Sequence, residues 1–176
     1  MDINEFGNKQ LMKIMKIFLD SPSKEVEQSG LEKDTKLSRT TVIKWLKLIL
    51  KEEIISKRKI GRSNLLRLNN EKFIVKEIKR FNILLSLKNI RNLPGKSEIY
   101  LFGSCARGEY FEDSDIDIIL IGDIKRSDIV NFLENLSKQI KRQINFRIFS
   151  QREWSSLRKK DKPFYDRVEK DKIRLR

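Results

Sequence analysis

Histidine is absent from the 176 residues, and cysteine occurs once, as Cys105. Without histidine, acid–base schemes built on imidazole and the usual mixed zinc sites are excluded. One cysteine rules out a disulfide within the chain, which fits a reducing compartment, and a cytoplasmic protein is expected. Cys105 itself reads as a small space-filling residue. No apolar run approaches the roughly 18 residues that span a bilayer, so no membrane partner is expected. The start, Met1-Asp2-Ile3-Asn4-Glu5, is acidic and has no long apolar core behind it, unlike a secretory signal. Internal repeats and low-complexity tracts are also missing.

Positive charge is what the chain has in plenty. Charged residues make up 36% and the net charge is +14. Residues 1–70 hold 15 basic against 9 acidic residues, a balance of +6; residues 71–176 hold 24 against 16, a balance of +8. A solvated surface would account for this, and so would a polyanionic partner such as nucleic acid. The hydrophobic fraction, 39%, supports one packed domain or two small ones.

The most informative stretch is Gly103-Ser104-Cys105-Ala106-Arg107-Gly108, followed by Ser114-Asp115-Ile116-Asp117. An apolar run from Ile99 to Phe102 enters Gly-Ser, and Asp-x-Asp opens a second run, Ile118 to Ile121. Residues two apart on a strand share a face, so Asp115 and Asp117 are expected to project together. Two such carboxylates repel unless a cation lies between them, and hard divalent ions favour those oxygens. Backbone N–H groups of the Gly-Ser turn suit phosphate oxygens.

This pattern resembles the minimal nucleotidyltransferases of the polymerase-β-like superfamily, whose members carry G-S-x-A-R-G, a spacer and S-D-x-D before an apolar strand. Gly103, Ser104, Ala106, Arg107, Gly108, Ser114, Asp115 and Asp117 fall in place, and the likeness covers about residues 95–150. It implies nucleotidyl transfer from a nucleoside triphosphate with Mg2+ or Mn2+. Asp115 and Asp117 become the catalytic metal ligands, and Gly103 and Ser104 the phosphate cradle. Arg107 either neutralises phosphate or ties the loop to Asp115 or Asp117. Ser114 belongs to the nucleotide-binding motif, with fixing of the strand entrance as its simpler role. Transferring members usually place a third carboxylate on the next strand. Here that strand reads Gln143-Ile144-Asn145-Phe146-Arg147-Ile148, with Asn145 at the position, and an amide is no general base.

The front of the chain resembles a winged helix-turn-helix in element order. Helical spacing runs over 8–20, a second helix over 24–33 is interrupted at Gly30, and Ser38 reads as the N-cap of a third helix to about Glu52. Two strand-like runs, 54–57 and 65–68, flank a basic loop, 58–64. This likeness implies DNA contact by Arg39, Thr40, Thr41 and Lys44 from the third helix, and by Lys59 and Arg62 from the hairpin tip. A solvated helical surface is the plainer alternative.

The expected fold class is α+β: a winged helix-turn-helix domain over 1–70, a linking helix over 71–92 with Ile74, Ile78, Phe81 and Leu85 on its apolar side, and a minimal nucleotidyltransferase domain over 93–176 with a small mixed sheet. The order expected there is strand 97–102, helix 104–109, strand 115–121, helix 126–141, strand 143–149, then one or two tail helices over 151–169. Trp154, Phe164 and Tyr165 are expected to pack that tail onto the sheet. The expected function is a Mg2+-dependent nucleotidyltransferase coupled to a DNA-binding winged helix. The alternative is a nucleotide-sensing transcription regulator, or an antitoxin-like protein with a degenerate transferase. Relatives in two-gene modules imply a small helical partner protein. Whether the chain forms a homodimer stays open, since no heptad seam is sustained.

Overall fold

In the computed structural model, which describes residues 1–176, the chain divides between Lys76 and Glu77 into two units. The first begins with α1 (Ile3–Phe6), capped by Asp2 in a reciprocal box with Glu5, and α2 (Lys9–Asp20), whose Leu11, Ile14, Met15, Phe18 and Leu19 are buried at helical spacing. The expected helix over 24–33 is replaced by a two-residue strand, β1 (Val26–Glu27), and a short helix, α3 (Gly30–Thr35). The strand forms because Val26 and Glu27 pair with Leu66 and Leu65, partners that no local pattern reveals.

Ser38 caps α4 (Arg39–Lys51), its hydroxyl accepting the Thr41 N–H at 3.3 Å, and Val42, Trp45, Leu46 and Ile49 face inward. The hairpin β2 (Ile55–Ile60) and β3 (Ser63–Leu68) pairs through to Ile60 opposite Ser63. The expected seven-residue loop is thereby corrected to a two-residue turn, Gly61-Arg62. Gly61, at φ +55°, supplies the backbone conformation such turns require. Lys59 lies in the strand, opposite Asn64, rather than at the tip.

Helix α5 (Phe73–Ser86) is followed by a 3-10 turn over Lys88–Asn92. Its buried stripe is not the expected one. Ile78 is buried, but Ile74, Phe81 and Leu85 are 46%, 46% and 50% exposed, whereas Val75, Ile83, Leu87 and Ile90 are buried. Lys79 interrupts that stripe in the sequence. In the structure it is fully buried, with its ammonium 4.9 Å from the Tyr110 ring centroid and 5.1 Å from that of Phe111. The negative faces of the two rings attract the ammonium electrostatically.

The second unit is a four-stranded mixed sheet in the order β6-β5-β4-β7. Strand β4 (Lys96–Phe102) leads into α6 (Gly103–Arg107) and then to β5 (Ile116–Asp123), which runs antiparallel to β4. Helix α7 (Arg126–Ile140) crosses over to β6 (Ile144–Phe149), parallel to β5. Helices α8 (Gln151–Lys160) and α9 (Lys162–Asp171) follow, and β7 (Ile173–Arg174) returns beside β4.

Strand alternation then sorts the core into two layers. Ile118 and Leu120 join Ile129, Leu133 and Leu136 of α7 on one side. Ile119 and Ile121 join Trp154, Phe164 and Val168 of the tail helices on the other. Asp117 shares the second face by the same two-residue rule. Trp154 and Phe164 thus pack the tail onto the sheet as expected, with Phe149 and Trp154 rings 5.5 Å apart. No helix is long and apolar enough to cross a membrane.

Candidate active site

Strand register builds the site. Asp117 on β5 pairs with Phe102 at the end of β4 on one side and with Asn145 of β6 on the other. Asp115 stands immediately before β5, and Asn145 Nδ2 donates to its Oδ2 at 2.8 Å. The Asn145 carbonyl oxygen accepts from Gln143 Nε2 at 2.9 Å. The amide therefore turns its donor toward the aspartates, as a protonated carboxylic acid would.

Gly103 follows Phe102 with φ +75°, and a Cβ there would meet Asp117 Oδ2 at 2.7 Å. The missing side chain lets the α6 turn and the carboxylate meet. Burial is the chief reason the Asp117 carboxyl is held above the ordinary carboxylate range. The charge of Asp115 adds to the rise, while Asn145, Arg147 and Arg167 oppose it.

Around Asp117 lies a cavity of about 490 Å³ that reaches Gly103, Arg107, Asn145, Arg147 and Arg167. Ser104 and Asp115 do not line it; they flank it from the turn and the strand entrance. Arg107 is tied not to Asp115 or Asp117 but to Glu109, Nε to Oε2 at 2.7 Å, and to Asp171, Nη1 to Oδ2 at 2.9 Å. The Ser114 hydroxyl accepts the Phe111 N–H at 2.9 Å, and its carbonyl accepts from Arg142 Nη1 at 2.8 Å. Ser114 thus closes the turn before the strand.

Three features lay outside the sequence reading. Arg142 also donates to the Phe111 carbonyl at 2.7 Å and lies 4.6 Å from the Tyr110 ring centroid, clamping the loop that delivers Asp115. Cys105 Sγ donates to the Asp115 carbonyl at 3.3 Å, and burial pushes its thiol up to about 11, so it acts as an anchor and not a nucleophile. Arg167 reaches the cavity from α9, 50 residues beyond the motif, and nothing local marks it.

Residues 82–173 match the nucleotidyltransferase domain family. The chain belongs to that family. Nucleotidyltransferase domains use a nucleoside triphosphate and usually a divalent metal. The residues fit that requirement: the donors are hard carboxylate oxygens, Asp117 carries a charge strain that a cation relieves, and magnesium is commonly held by one or two carboxylates plus substrate phosphates. No group of three or more Asp, Glu, Cys or His side chains gathers in the structure, so the carboxylate pair would be completed by an amide or by substrate.

Over 39 residues the nucleotidyltransferase chain is 46% identical to "Putative protein adenylyltransferase MJ0604" of Methanocaldococcus jannaschii, covering 22% of this chain and 39% of that protein. It therefore spans well under half the length of that relative. A solved toxin–antitoxin with AMP-PNP is 21% identical, covering 55% of this chain and 72% of its own, with a TM-score of 0.38. The toxin–antitoxin MntA-HpeT in mutant form is 19% identical over the same shares, also at 0.38.

In the first unit, the residues expected to touch DNA fall into two groups. Arg39 at the start of α4 and Arg62 in the hairpin turn line one cleft of about 480 Å³, together with Glu27, Glu32 and Asn64. Lys44 is exposed, with its ammonium 4.9 Å from the Trp45 ring centroid. The Thr40 and Thr41 hydroxyls lie 3.2 and 2.9 Å from Ser38 Oγ, drawn into the helix cap. Lys59 is exposed on β2 and does not line the cleft.

Proposed function

We propose that this chain transfers a nucleoside monophosphate from a triphosphate to an acceptor hydroxyl, with Mg2+ held by Asp115 and Asp117. The observation that carries the reading is the meeting of Gly103 with Asp117 at the rim of a cavity on the α8–α9 face of the sheet. The acceptor oxygen attacks the α-phosphorus, the bond to the β-phosphate oxygen breaks, and pyrophosphate leaves. Bound Mg2+ would offset negative charge on the reacting phosphate oxygens. The protein's own contribution is positional. Gly103 and Ser104 bring backbone and hydroxyl donors beside the phosphates, Asp117 is fixed by strand pairing, and Arg142 holds the approach loop. Asn145 cannot take the acceptor's proton, so that proton leaves to solvent and turnover is slow.

A protein side chain is the proposed acceptor, supported by the adenylyltransferase relative. The test uses ATP labelled at the α- or the γ-phosphate, with Mg2+ and cell extract. Product labelled only from the α-position, with pyrophosphate released and loss in Asp117→Asn, supports nucleotidyl transfer. Label from the γ-position or none at all overturns it.

The first unit is proposed as a winged helix-turn-helix over 1–70, joined to the transferase domain (93–176) through 71–92. Support comes from its order of helices and hairpin and from Arg39 and Arg62 on one cleft. Arg39→Ala and Arg62→Ala should each weaken binding to duplex DNA and lower the salt slope by about 1. Unchanged affinity and slope count against it. Asn145 also favours a second reading, a nucleotide sensor or antitoxin-like regulator with a small helical protein partner. In that case ATP with Mg2+ changes DNA affinity without being consumed.

A further inference from the structure

The motif arginine is already spent. Arg107 lines the cavity, but Glu109 and Asp171 hold it in two ion pairs, so its charge is neutralised locally. Two other guanidinium groups reach the same cavity from unrelated elements. Arg147 projects from β6, two residues beyond Asn145 and on the same face. Arg167 projects from α9. Both rest on one ring: their guanidinium carbons lie 4.8 and 5.6 Å from the centroid of Phe164, which is buried. Neither forms an ion pair with a carboxylate.

A guanidinium stacked on an aromatic face keeps its in-plane N–H donors available, and that edge matches phosphate oxygens in bidentate fashion. Phe164 therefore orients two cations without consuming their hydrogen-bonding capacity. They face the same space as Asp117, whose partner in catalysis is expected to be a cation. The terminal phosphate of a triphosphate carries close to two negative charges at neutral pH, and the one other cation lining the cavity, Arg107, is held by Glu109 and Asp171.

We propose that Arg147 and Arg167, carried on Phe164, hold the β- and γ-phosphates of the nucleoside triphosphate and retain the pyrophosphate after transfer. The inference rests on the nucleotidyl-transfer reading of the site. It assigns to β6 and α9 the cationic part of the phosphate site, which the Gly-Ser motif lacks and Arg107, held by Glu109 and Asp171, does not supply. It also makes the cavity selective for triphosphate over monophosphate, because the arginines touch only the part of the nucleotide that leaves.

The test is calorimetric titration of the full chain with ATP, AMP and inorganic pyrophosphate, each with Mg2+, for the parent and for Arg147→Gln and Arg167→Gln. A charge-assisted hydrogen bond is worth about 1.5–3 kcal/mol, so each substitution should weaken ATP and pyrophosphate about tenfold or more and leave AMP within about twofold. Arg147→Lys and Arg167→Lys, which keep the charge but lose the fork, should recover part of the loss. If either Gln variant fails to fold by circular dichroism, the corresponding Lys variant decides: ATP and pyrophosphate weakened with AMP unchanged supports the assignment, and all three affinities unchanged overturns it. ATP affinity unchanged in both Gln variants, or ATP and AMP weakened equally, overturns the arginine assignment alone. A parent chain that binds no ATP overturns the transferase reading itself.

Discussion

Replacing Gly103 by alanine should damage the fold and the site together, and the two effects can be separated. Gly103 has φ +75°, and an alanine there pays about 1–2 kcal/mol for the left-handed backbone. The new Cβ also meets Asp117 Oδ2 at 2.7 Å, so the carboxylate must move or the turn must shift. The sum is about 2 kcal/mol, within the range for strained positions, and lowers Tm by about 4–8 °C in a chain of this size. Displacing Asp117 by even a fraction of an ångström should cost transfer about 100-fold. In an Asp117→Ala background the clash is gone, so the same substitution should cost only the backbone part. The coupling, read by thermal and chemical denaturation of the four proteins, should be about 1 kcal/mol. Strict additivity, or a Gly103→Ala protein as stable and as active as its parent, refutes the contact between the turn and the carboxylate.

Asp117 also sets a pH dependence. Its carboxyl is raised above the ordinary range by burial and by Asp115, so the folded state binds the proton more tightly than the unfolded chain. Without metal, stability should therefore fall as pH rises from the ordinary carboxylate range through the raised value, and Asp117→Asn should flatten that fall while abolishing transfer. Asn145→Asp removes the donor to Asp115 and adds a like charge; it should lower Tm in EDTA, regain it with Mg2+, and raise transfer, and unchanged metal dependence counts against it. Arg142→Ala loses two bonds to loop carbonyls, at 2.7 and 2.8 Å, and should cost about 2–4 kcal/mol, with Arg142→Lys keeping part of it.

Much of the candidate site was legible because its parts are local. Gly103, Asp115 and Asp117 lie within fifteen residues, and alternation alone puts Asp117 and Ile119 on one face. The sheet beyond them was less so. Strands β1 and β7 span two residues each, and exist because of distant partners rather than their own pattern. The face of α5 was misassigned because Lys79, a cation in the middle of the buried stripe, hid it. The ion-pair alternative for Arg107 named Asp115 or Asp117, whereas its acids are Glu109 and Asp171, the latter 64 residues away and brought close only by packing of α9. Arg167 reached the site the same way. Residues delivered by packing of one element on another leave no trace in spacing.

The most direct test is a crystal of the chain with Mg2+ and a non-hydrolysable ATP analogue. The α-phosphate should lie beside Asp117, an ion should be held by Asp115 and Asp117, and the β- and γ-phosphates should rest against Arg147 and Arg167. A triphosphate bound elsewhere, with the two aspartates still sharing Asn145 and no ion between them, would contradict it.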